Sequence, residues 1–292
     1  MNFRTKLKLN TFTLLIPWII TFLLFWLYPL IYSLYLSFTK YYTLTNESEF
    51  IGLANYQELF SDPLFYKALS NTAFFTFGTV PFTISIAILL ALFLNSKIVK
   101  LKNFFRSAYF LPSVTSMVVI ALIFTNLYTQ NGYVNMLFKM AGLPYPENGW
   151  LLNTSTAMLS IMFMDVWISV GYYMVLFLAA MQTISEDLYE SARLVGANSI
   201  QQFFRITLPL LKPTLLFVLV INTIKSFQIF IEIFVMTKGG PLNSTTTLVY
   251  QVFVNAFEKA DSMGYASALA YIIFIILLIF SFIQMKLLKA KW

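Results

Sequence analysis

Long apolar stretches alternate with short polar segments along the whole chain. Six of these stretches are long enough for a helix to cross the roughly 30 Å of hydrocarbon in a bilayer. They lie at approximately 11–38, 68–94, 107–128, 154–184, 214–236 and 265–287. We predict an all-α integral membrane protein whose six transmembrane helices form a single transmembrane domain over residues 1–292.

The first apolar stretch, 11–38, follows three basic residues, Arg4, Lys6 and Lys8. A secretory signal begins in the same way, but its apolar core is much shorter and a cleavage site of small residues follows it. We therefore predict an uncleaved first helix, which Pro29 bends. The pattern of residues 55–60, Asn-Tyr-x-x-Leu-Phe, predicts a short helix on the outer surface.

The distribution of lysine and arginine predicts which side of the membrane each loop faces, because cytoplasmic loops are enriched in basic residues. The segments that six spans place on the inside hold most of them: Arg4, Lys6, Lys8, Lys97, Lys100, Lys102, Arg106, Arg193, Arg205, Lys212, Lys286, Lys289 and Lys291. The outer loops hold Lys40, Lys67, Lys139, Lys238 and Lys259. We predict that both termini are cytoplasmic, and that the net charge of +7 reflects topology rather than nucleic-acid binding.

Composition argues against an enzyme. Only 11% of the residues are charged, against about 25% in a soluble domain, so lipid must surround most of the surface. The chain has no cysteine and no histidine, which removes thiolate chemistry and the usual metal ligand. No Gly-rich phosphate loop precedes a Lys-Ser or Lys-Thr pair. We predict no catalytic residues, no metal site and no ATPase activity, so another subunit or an ion gradient must drive any transport.

One polar segment, 185–213, separates the fourth and fifth spans. Ser185 followed by two acids predicts a helix start, and Gly196 predicts the end of that helix. A second apolar face begins at Ile200, and Pro209 and Pro213 are expected to end it. The segment is predicted to be a helix–turn–helix with an exposed apolar ridge, which needs a soluble partner to cover it.

The same segment carries a family pattern, Glu190-x-Ala192-x-x-x-Gly196-Ala197 followed by Ile206-x-Leu208-Pro209. It resembles the EAA loop of binding-protein-dependent ABC importer permeases, which docks in a groove of the ATPase. A Glu-x-Ala…Gly pattern alone would also suit an ordinary solvated loop, but the full spacing favours the family. Two positions depart from it, since Ser191 replaces the usual alanine and Val195 the usual aspartate. The resemblance implies the type I permease architecture, with 185–213 as the coupling loop.

Polar residues also lie inside the predicted spans, where ionisable groups are costly and face a bundle interior or a wet cavity. Lys225, Gln228 and Glu232 are predicted to share one face of the fifth helix, at spacings of three and four. Asn222 and Ser226 lie on or beside that face. Two interpretations stay open at this point. In the first, Lys225 pairs with Asp165 of the fourth span, and the pair only holds the helices together. In the second, these polar residues line a hydrophilic translocation path.

Two further segments resemble carbohydrate importer permeases of the maltose/glycerol-3-phosphate type. They are Lys238-Gly239-Gly240-Pro241-x-x-Ser244-Thr245-Thr246-Thr247 and Gly264-Tyr265-Ala266-x-Ala268-x-Ala270. The resemblance implies that substrate sits between the helices that flank the loop, against Ser169, Tyr172, Asn222, Ser226 and Ile229. We expect Asp165, Lys225, Gln228 and Glu232 to belong to the same path. Lys225 departs from a neutral sugar site and would also suit an acidic sugar or a phosphate ester.

The resemblance also implies partners and a location. They are a second, homologous permease that forms a heterodimer, two ATPase subunits, an extracytoplasmic solute-binding protein and a carbohydrate substrate, in a bacterial or archaeal cytoplasmic membrane. This chain would bind no cofactor itself, and ATP and Mg would sit in the partner ATPase. The alternative is an ion-coupled secondary transporter or channel that uses Asp165, Lys225 and Glu232 as coupling groups, although no inverted repeat is visible.

Reporter fusions test the topology. Fusions after Lys139 and after Lys259 should report an extracytoplasmic position, because both residues lie in predicted outer loops, which are poor in basic residues. An alkaline phosphatase and green fluorescent protein pair gives opposite signals on the two sides of the membrane, so each fusion controls the other. A cytoplasmic signal at either position would overturn the orientation.

Overall fold

The computed structural model describes residues 3–96 and 98–288, and most of them are helical. The helices are α1 (Phe3–Phe22), α2 (Tyr28–Ser37), α3 (Ala54–Ser61), α4 (Pro63–Asn95), α5 (Lys102–Val114), α6 (Met117–Leu127), α7 (Tyr133–Met140), α8 (Ala157–Gln182), α9 (Glu186–Leu194), α10 (Ser199–Gln202), α11 (Leu208–Leu210), α12 (Lys212–Phe227), α13 (Ile231–Met236), α14 (Leu248–Phe253) and α15 (Met263–Leu288). Of the basic residues used for the topology, Lys97, Lys289 and Lys291 lie outside the described residues.

Within the described residues, five helical segments are long and apolar enough to cross a membrane: Thr13–Ser37, Pro63–Asn95, Ala157–Gln182, Lys212–Met236 and Met263–Leu287. A sixth span results if α5 and α6 are counted together, although the two helices meet at an angle of 95°. The prediction of an all-α membrane protein with up to six spans is therefore confirmed. The orientation of the termini stays a prediction.

The third span, expected as one helix over 107–128, is instead broken between Val114 and Met117. Just before the break, α5 contacts α8. The hydroxyl of Ser113 donates to the carbonyl of Ile168 (2.5 Å) and accepts from the N–H of Tyr172 (3.1 Å), so it bridges one turn of the α8 backbone. Hydropathy along the chain cannot reveal a contact between segments this far apart in sequence.

Two compact units make up the chain, residues 1–62 with 252–273 and residues 63–251 with 274–292. The larger unit has a core between α4, α8, α12 and the start of α5. Its buried members are aliphatic, aromatic or methionine side chains: Val80, Ile84, Ala87, Ile88, Ala91, Leu94, Tyr173, Met174, Phe177, Leu178, Met181, Leu211 and Val218. Ala87 and Ala91 are fully buried in this core, where their small side chains let α4 and α8 pack closely.

The smaller unit contains an antiparallel hairpin that the hydropathy pattern did not predict, β1 (Thr39–Tyr42) and β2 (Glu47–Phe50), with Thr39 opposite Phe50. The expected surface helix is present as α3. Its buried Asn55 donates to the carbonyls of Ser37 and Thr39, both at 2.9 Å, and so joins α3 to the end of α2 and the start of β1.

Two of the prolines in the helical path follow π-helical turns. One such turn, Leu23–Leu27, ends just before Pro29, and another, Phe203–Thr207, ends just before Pro209. Proline removes one backbone donor, and widening the preceding turn lets the other amide groups find carbonyls. The expectation that Pro209 and Pro213 end the helix is therefore wrong. Pro213 instead lies in the first turn of α12, where no N–H is required.

Gly171 provides a test of the α5–α8 contact. A Cβ atom at this position would overlap with the backbone carbonyl of Tyr109, whereas a Cβ at Gly78 would meet only the flexible end of Met162. We expect Gly171→Ala to destabilise the protein by about 1–3 kcal/mol, because backbone must move. The matched variant Gly78→Ala should be nearly neutral. The apparent melting temperature in detergent measures both, and equal values would contradict a close α5–α8 contact.

Candidate functional site

The fifth span is broken in the middle. Helix α12 ends at Phe227 and α13 begins at Ile231, so Lys225, Gln228 and Glu232 do not share one helical face as expected. A hydrogen bond from a segment further along the chain stabilises the break: the hydroxyl of Thr247 donates to the carbonyl of Ile229 (3.2 Å). An irregular backbone at membrane depth is tolerated where protein satisfies its polar groups.

Lys225 forms an ion pair with Asp165 across α12 and α8. The Lys225 Nζ atom lies 3.1 Å from an Asp165 carboxylate oxygen and 2.6 Å from the hydroxyl of Ser169. The Asp165 side chain is 3% exposed and that of Lys225 is 39% exposed. The aspartate is therefore buried, and the lysine reaches it from a partly open position.

The other charged and polar candidates divide into buried and exposed residues. Glu232 is buried and close enough to Asp165 and Lys225 to interact electrostatically with both. Ile229 is also buried. Gln228, in the break itself, and Tyr172, on α8, are exposed at the surface of this chain. The structure thus gathers three ionisable side chains, whereas Gln228 is exposed and does not join their group.

Asn222 and Ser226 belong to a second buried polar group, between α12 and α4. The Thr79 hydroxyl lies 3.3 Å from that of Ser226. Among the described residues, neither end of the Asn222 amide has a hydrogen-bond partner, and the same is true of the hydroxyls of Thr76 and Thr83. Buried polar atoms without partners are costly, which marks this region as one that needs water, a ligand or another conformation.

The threonines of α4 were missed by the sequence analysis. Four of them, Thr72, Thr76, Thr79 and Thr83, are buried and recur every three or four residues, which places them on one helix face. Thr72 and Thr79 bond to carbonyls of their own helix, whereas Thr76 and Thr83 do not. The regular spacing within an apolar helix was the signal that could have revealed this polar stripe.

The threonine-rich segment 237–247 forms a loop in which Thr245, Thr246 and Thr247 are buried, whereas Leu242 is exposed. The Thr245 hydroxyl donates to the carbonyl of Gly240 (2.7 Å). The side-chain amide of Asn71 on α4 donates to the carbonyls of Asn243 (2.9 Å) and Thr246 (2.8 Å). This segment therefore ties the broken fifth span to α4, which is a structural reason for its run of threonines.

The predicted coupling loop has well-defined helix ends. Ser185 caps α9, its hydroxyl accepting from the N–H of Asp187 (3.3 Å). At the other end Gly196 has a φ of +82°, and the bonds Gly196 N–H to Arg193 carbonyl and Ala197 N–H to Ala192 carbonyl form a Schellman motif. The predicted helix end at Gly196 is confirmed. A left-handed φ explains glycine there, because a Cβ would strain the backbone.

An exposed apolar ridge follows from this geometry. Leu194 and Val195 are 89% and 85% exposed, and Ile200 and Phe204 are also exposed. Glu190 is exposed, and Ala192, Ala197, Ile206 and Leu208 are half-buried, whereas Pro209 is exposed. The Tyr189 hydroxyl lies 2.9 Å from that of Thr207, which joins α9 to the π-turn. Large apolar side chains outside lipid indicate an interaction surface.

Residues 83–291 match the family described as "Binding-protein-dependent transport system inner membrane component". The chain belongs to this family. It is 40% identical, over 97% of both chains, to the probable ABC transporter permease protein YurN of Bacillus subtilis (strain 168). It is 37% identical to the arabinooligosaccharides transport system permease protein AraP of the same organism, over 93% of this chain and 86% of AraP. The protein is therefore an ABC transporter permease.

The fold agrees with this assignment. A chain of a bacterial alginate ABC transporter, solved in complex with an alginate pentasaccharide-bound periplasmic protein, superposes with a TM-score of 0.82. The two chains are 26% identical, and the match covers 96% of this chain and 93% of that one. The type I permease architecture is thus confirmed, and the ion-coupled alternative loses its support. The roles of individual residues stay predictions.

The Lys225–Asp165 pair gives a testable energetic prediction. Replacing Lys225 with Met leaves a buried carboxylate without its partner, and we expect a loss of about 3 kcal/mol in stability. The double variant Asp165→Leu, Lys225→Met should recover most of that loss, because no buried charge is left unpaired. Melting temperatures of the detergent-purified protein measure both.

The matched control is Lys139→Met, since Lys139 is exposed and has no ion pair within residues 3–96 and 98–288. A Lys225→Met variant that is as stable as this control would show that the pair does not stabilise the bundle. A double variant as unstable as the single one would show that the two charges do not act together.

Proposed function

We propose that this permease is the membrane-spanning subunit of an ATP-driven importer that moves a sugar or oligosaccharide delivered by an extracytoplasmic binding protein. The observation that carries the carbohydrate assignment is the full-length similarity to AraP, which is named for arabinooligosaccharide transport. The chain pairs with a second, homologous permease in a bacterial or archaeal cytoplasmic membrane. Two ATPase subunits with bound ATP and Mg supply the energy.

The interior of the bundle supports a polyhydroxylated solute. The unpaired amide of Asn222 and the unpaired hydroxyls of Thr76 and Thr83 are neutral groups that can exchange hydrogen bonds with sugar hydroxyls. In this conformation they are buried within the chain, so α12 must move relative to α4 before a solute reaches them. Tyr172 offers an exposed ring on α8 for the apolar face of a sugar.

A neutral sugar fits the charges better than an acidic one. The ammonium of Lys225 already contacts Asp165 and Ser169, and buried Glu232 adds a second acid to the same region. A carboxylated or phosphorylated sugar would therefore meet two acids and one engaged cation. Lys225 and Asp165 thus position the helices beside the path, and Asn222, Ser226 and Tyr172 contact the solute.

The coupling loop transmits the work of the ATPase. Its ridge, Leu194, Val195, Ile200 and Phe204, is apolar and exposed, and so fits a groove on a soluble subunit. The Schellman motif at Gly196 and the Tyr189–Thr207 contact give the loop a fixed shape. The path from α10 through Pro209 is helical as far as Leu210. The N–H groups of Leu211 and Leu215 bond to the carbonyls of Thr207 and Leu211 across the turn into α12, so a displacement of the ridge moves the helix that carries Asn222 and Lys225.

The experiment compares two glycine variants in the assembled importer. Gly196 and Gly142 both have a left-handed φ, and a Cβ at either would meet nothing within 4 Å. Gly196→Trp and Gly142→Trp therefore cost similar backbone strain, but only the first lies on the ridge. We expect Gly196→Trp to lower oligosaccharide uptake into proteoliposomes by at least roughly tenfold, or about 1.4 kcal/mol of lost coupling.

The same vesicles distinguish the parts of the proposal. Neutral oligosaccharides should be taken up with ATP hydrolysis, and uronic-acid oligosaccharides should not. Normal uptake by Gly196→Trp would contradict the coupling role while leaving the transport function intact. Uptake of no oligosaccharide by the unaltered importer, with its binding protein present, would contradict the carbohydrate assignment.

A further inference from the structure

We propose that a groove between α4, α5 and α8 binds one anionic phospholipid, with an acyl chain in the groove and the phosphate beside Lys102 and Arg106. The groove has a volume of about 670 Å³. Its lining is almost entirely apolar and includes Gly78, Phe82, Ile86, Tyr109, Phe163 and Trp167. None of these residues belongs to the charged group or to the coupling loop.

The groove opens outward and is not part of the packed core. Phe82 and Phe163 are 65% and 64% exposed on this chain, and Trp167 is also exposed. Its floor is shaped by two glycines, because side chains at Gly78 and Gly171 would collide with Met162 and with the backbone at Tyr109. In a membrane-spanning helix bundle, an open apolar groove of this kind is filled by hydrocarbon or by another helix.

The length of the groove matches one leaflet of the bilayer. Along α4 its lining runs from Leu90 to Gly78, which is about 18 Å at 1.5 Å per residue. Half of the hydrocarbon thickness is about 15 Å. An acyl chain that enters from one membrane surface would therefore fill the groove and end near the bilayer centre.

The end of the groove at Leu90 and Ala108 lies next to the basic first turns of α5. Lys102, Arg106 and Tyr109 follow one another along a single helix row, and Tyr109 lines the groove. Neither Lys102 nor Arg106 forms an ion pair within the described part of the chain. The positive-inside rule places this end at the cytoplasmic surface, where anionic lipids are attracted to basic residues.

Charge decides between a lipid and a protein occupant. A transmembrane helix of the second permease could fill the apolar groove, but its hydrocarbon-facing side chains would leave both cations unneutralised. An anionic phospholipid satisfies the two requirements at once, with its tail in the groove and its phosphate at the long, flexible side chains of Lys102 and Arg106. A zwitterionic lipid supplies the same tail with a weaker electrostatic attraction.

Photocrosslinking in nanodiscs tests the site on the complete importer. The probes are phosphatidylglycerol and phosphatidylcholine with a diazirine in the middle of one acyl chain, and adducts on this chain are mapped by mass spectrometry. We expect adducts at Phe82, Phe163 and Trp167 from phosphatidylglycerol in preference to phosphatidylcholine. The variant Lys102→Gln, Arg106→Gln should lower that preference by roughly thirty-fold, at about 1 kcal/mol per basic residue.

Two controls make the result specific. Lys139→Gln, Lys259→Gln removes two basic residues from the predicted outer loops and should leave the preference unchanged. Ala108→Trp fills the groove from its exposed side and should abolish the adducts without altering the charges. An excess of inorganic phosphate should not compete, because the tail supplies most of the contact.

Each remaining outcome would overturn the proposal. Equal labelling by the two lipids in all variants would indicate ordinary boundary lipid. Labelling of the isolated chain that disappears in the complete importer would indicate that the second permease covers the groove. Because labelling requires assembly but no transport, a negative result leaves the import function untouched.

Discussion

The requirement that polar groups find partners inside hydrocarbon governs this structure. Two breaks in the spans lie beside specific hydrogen bonds. Ser113 bridges the backbone of α8 where the third span bends, and Thr247 bonds the carbonyl of Ile229 where the fifth span breaks. Widened turns precede Pro29 and Pro209, where each proline removes a backbone donor. At the break in the fifth span a neighbouring segment therefore satisfies the irregular backbone.

The exceptions to this rule lie along the proposed solute path. Asn222, Thr76 and Thr83 keep buried polar atoms without partners, between helices that also carry Ser226 and Thr79. Such a region favours movement, because opening it exposes donors and acceptors that gain partners from water or solute. The Lys225–Asp165 pair lies nearby and is fully engaged. A stable ion pair thus lies beside a group of buried polar side chains that lack hydrogen-bond partners in this conformation.

In the mechanism that we propose, energy coupling depends on the fixed geometry of the segment between the fourth and fifth spans. The Schellman motif at Gly196 turns the chain, and the capping box at Asn198 starts α10 in a fixed direction. The helical path then passes Pro209 without a stop. A ridge that binds a moving ATPase can therefore displace α12 directly, which a flexible connection could not do.

The local sequence determined the membrane class, the approximate positions of the spans and the two ends of α9 at Ser185 and Gly196, because lipid solvation and helix capping act on local sequence. The family pattern in that loop pointed to an ABC importer permease. Only the tertiary structure decided that the third and fifth spans are broken, that Gln228 is exposed whereas Glu232 is buried, and that Thr79 of α4 meets Ser226 of α12. These features depend on hydrogen bonds and close packing between residues distant in sequence, such as Ser113 with Ile168 and Asn71 with Thr246. No local pattern encodes which distant backbone group a side chain will meet.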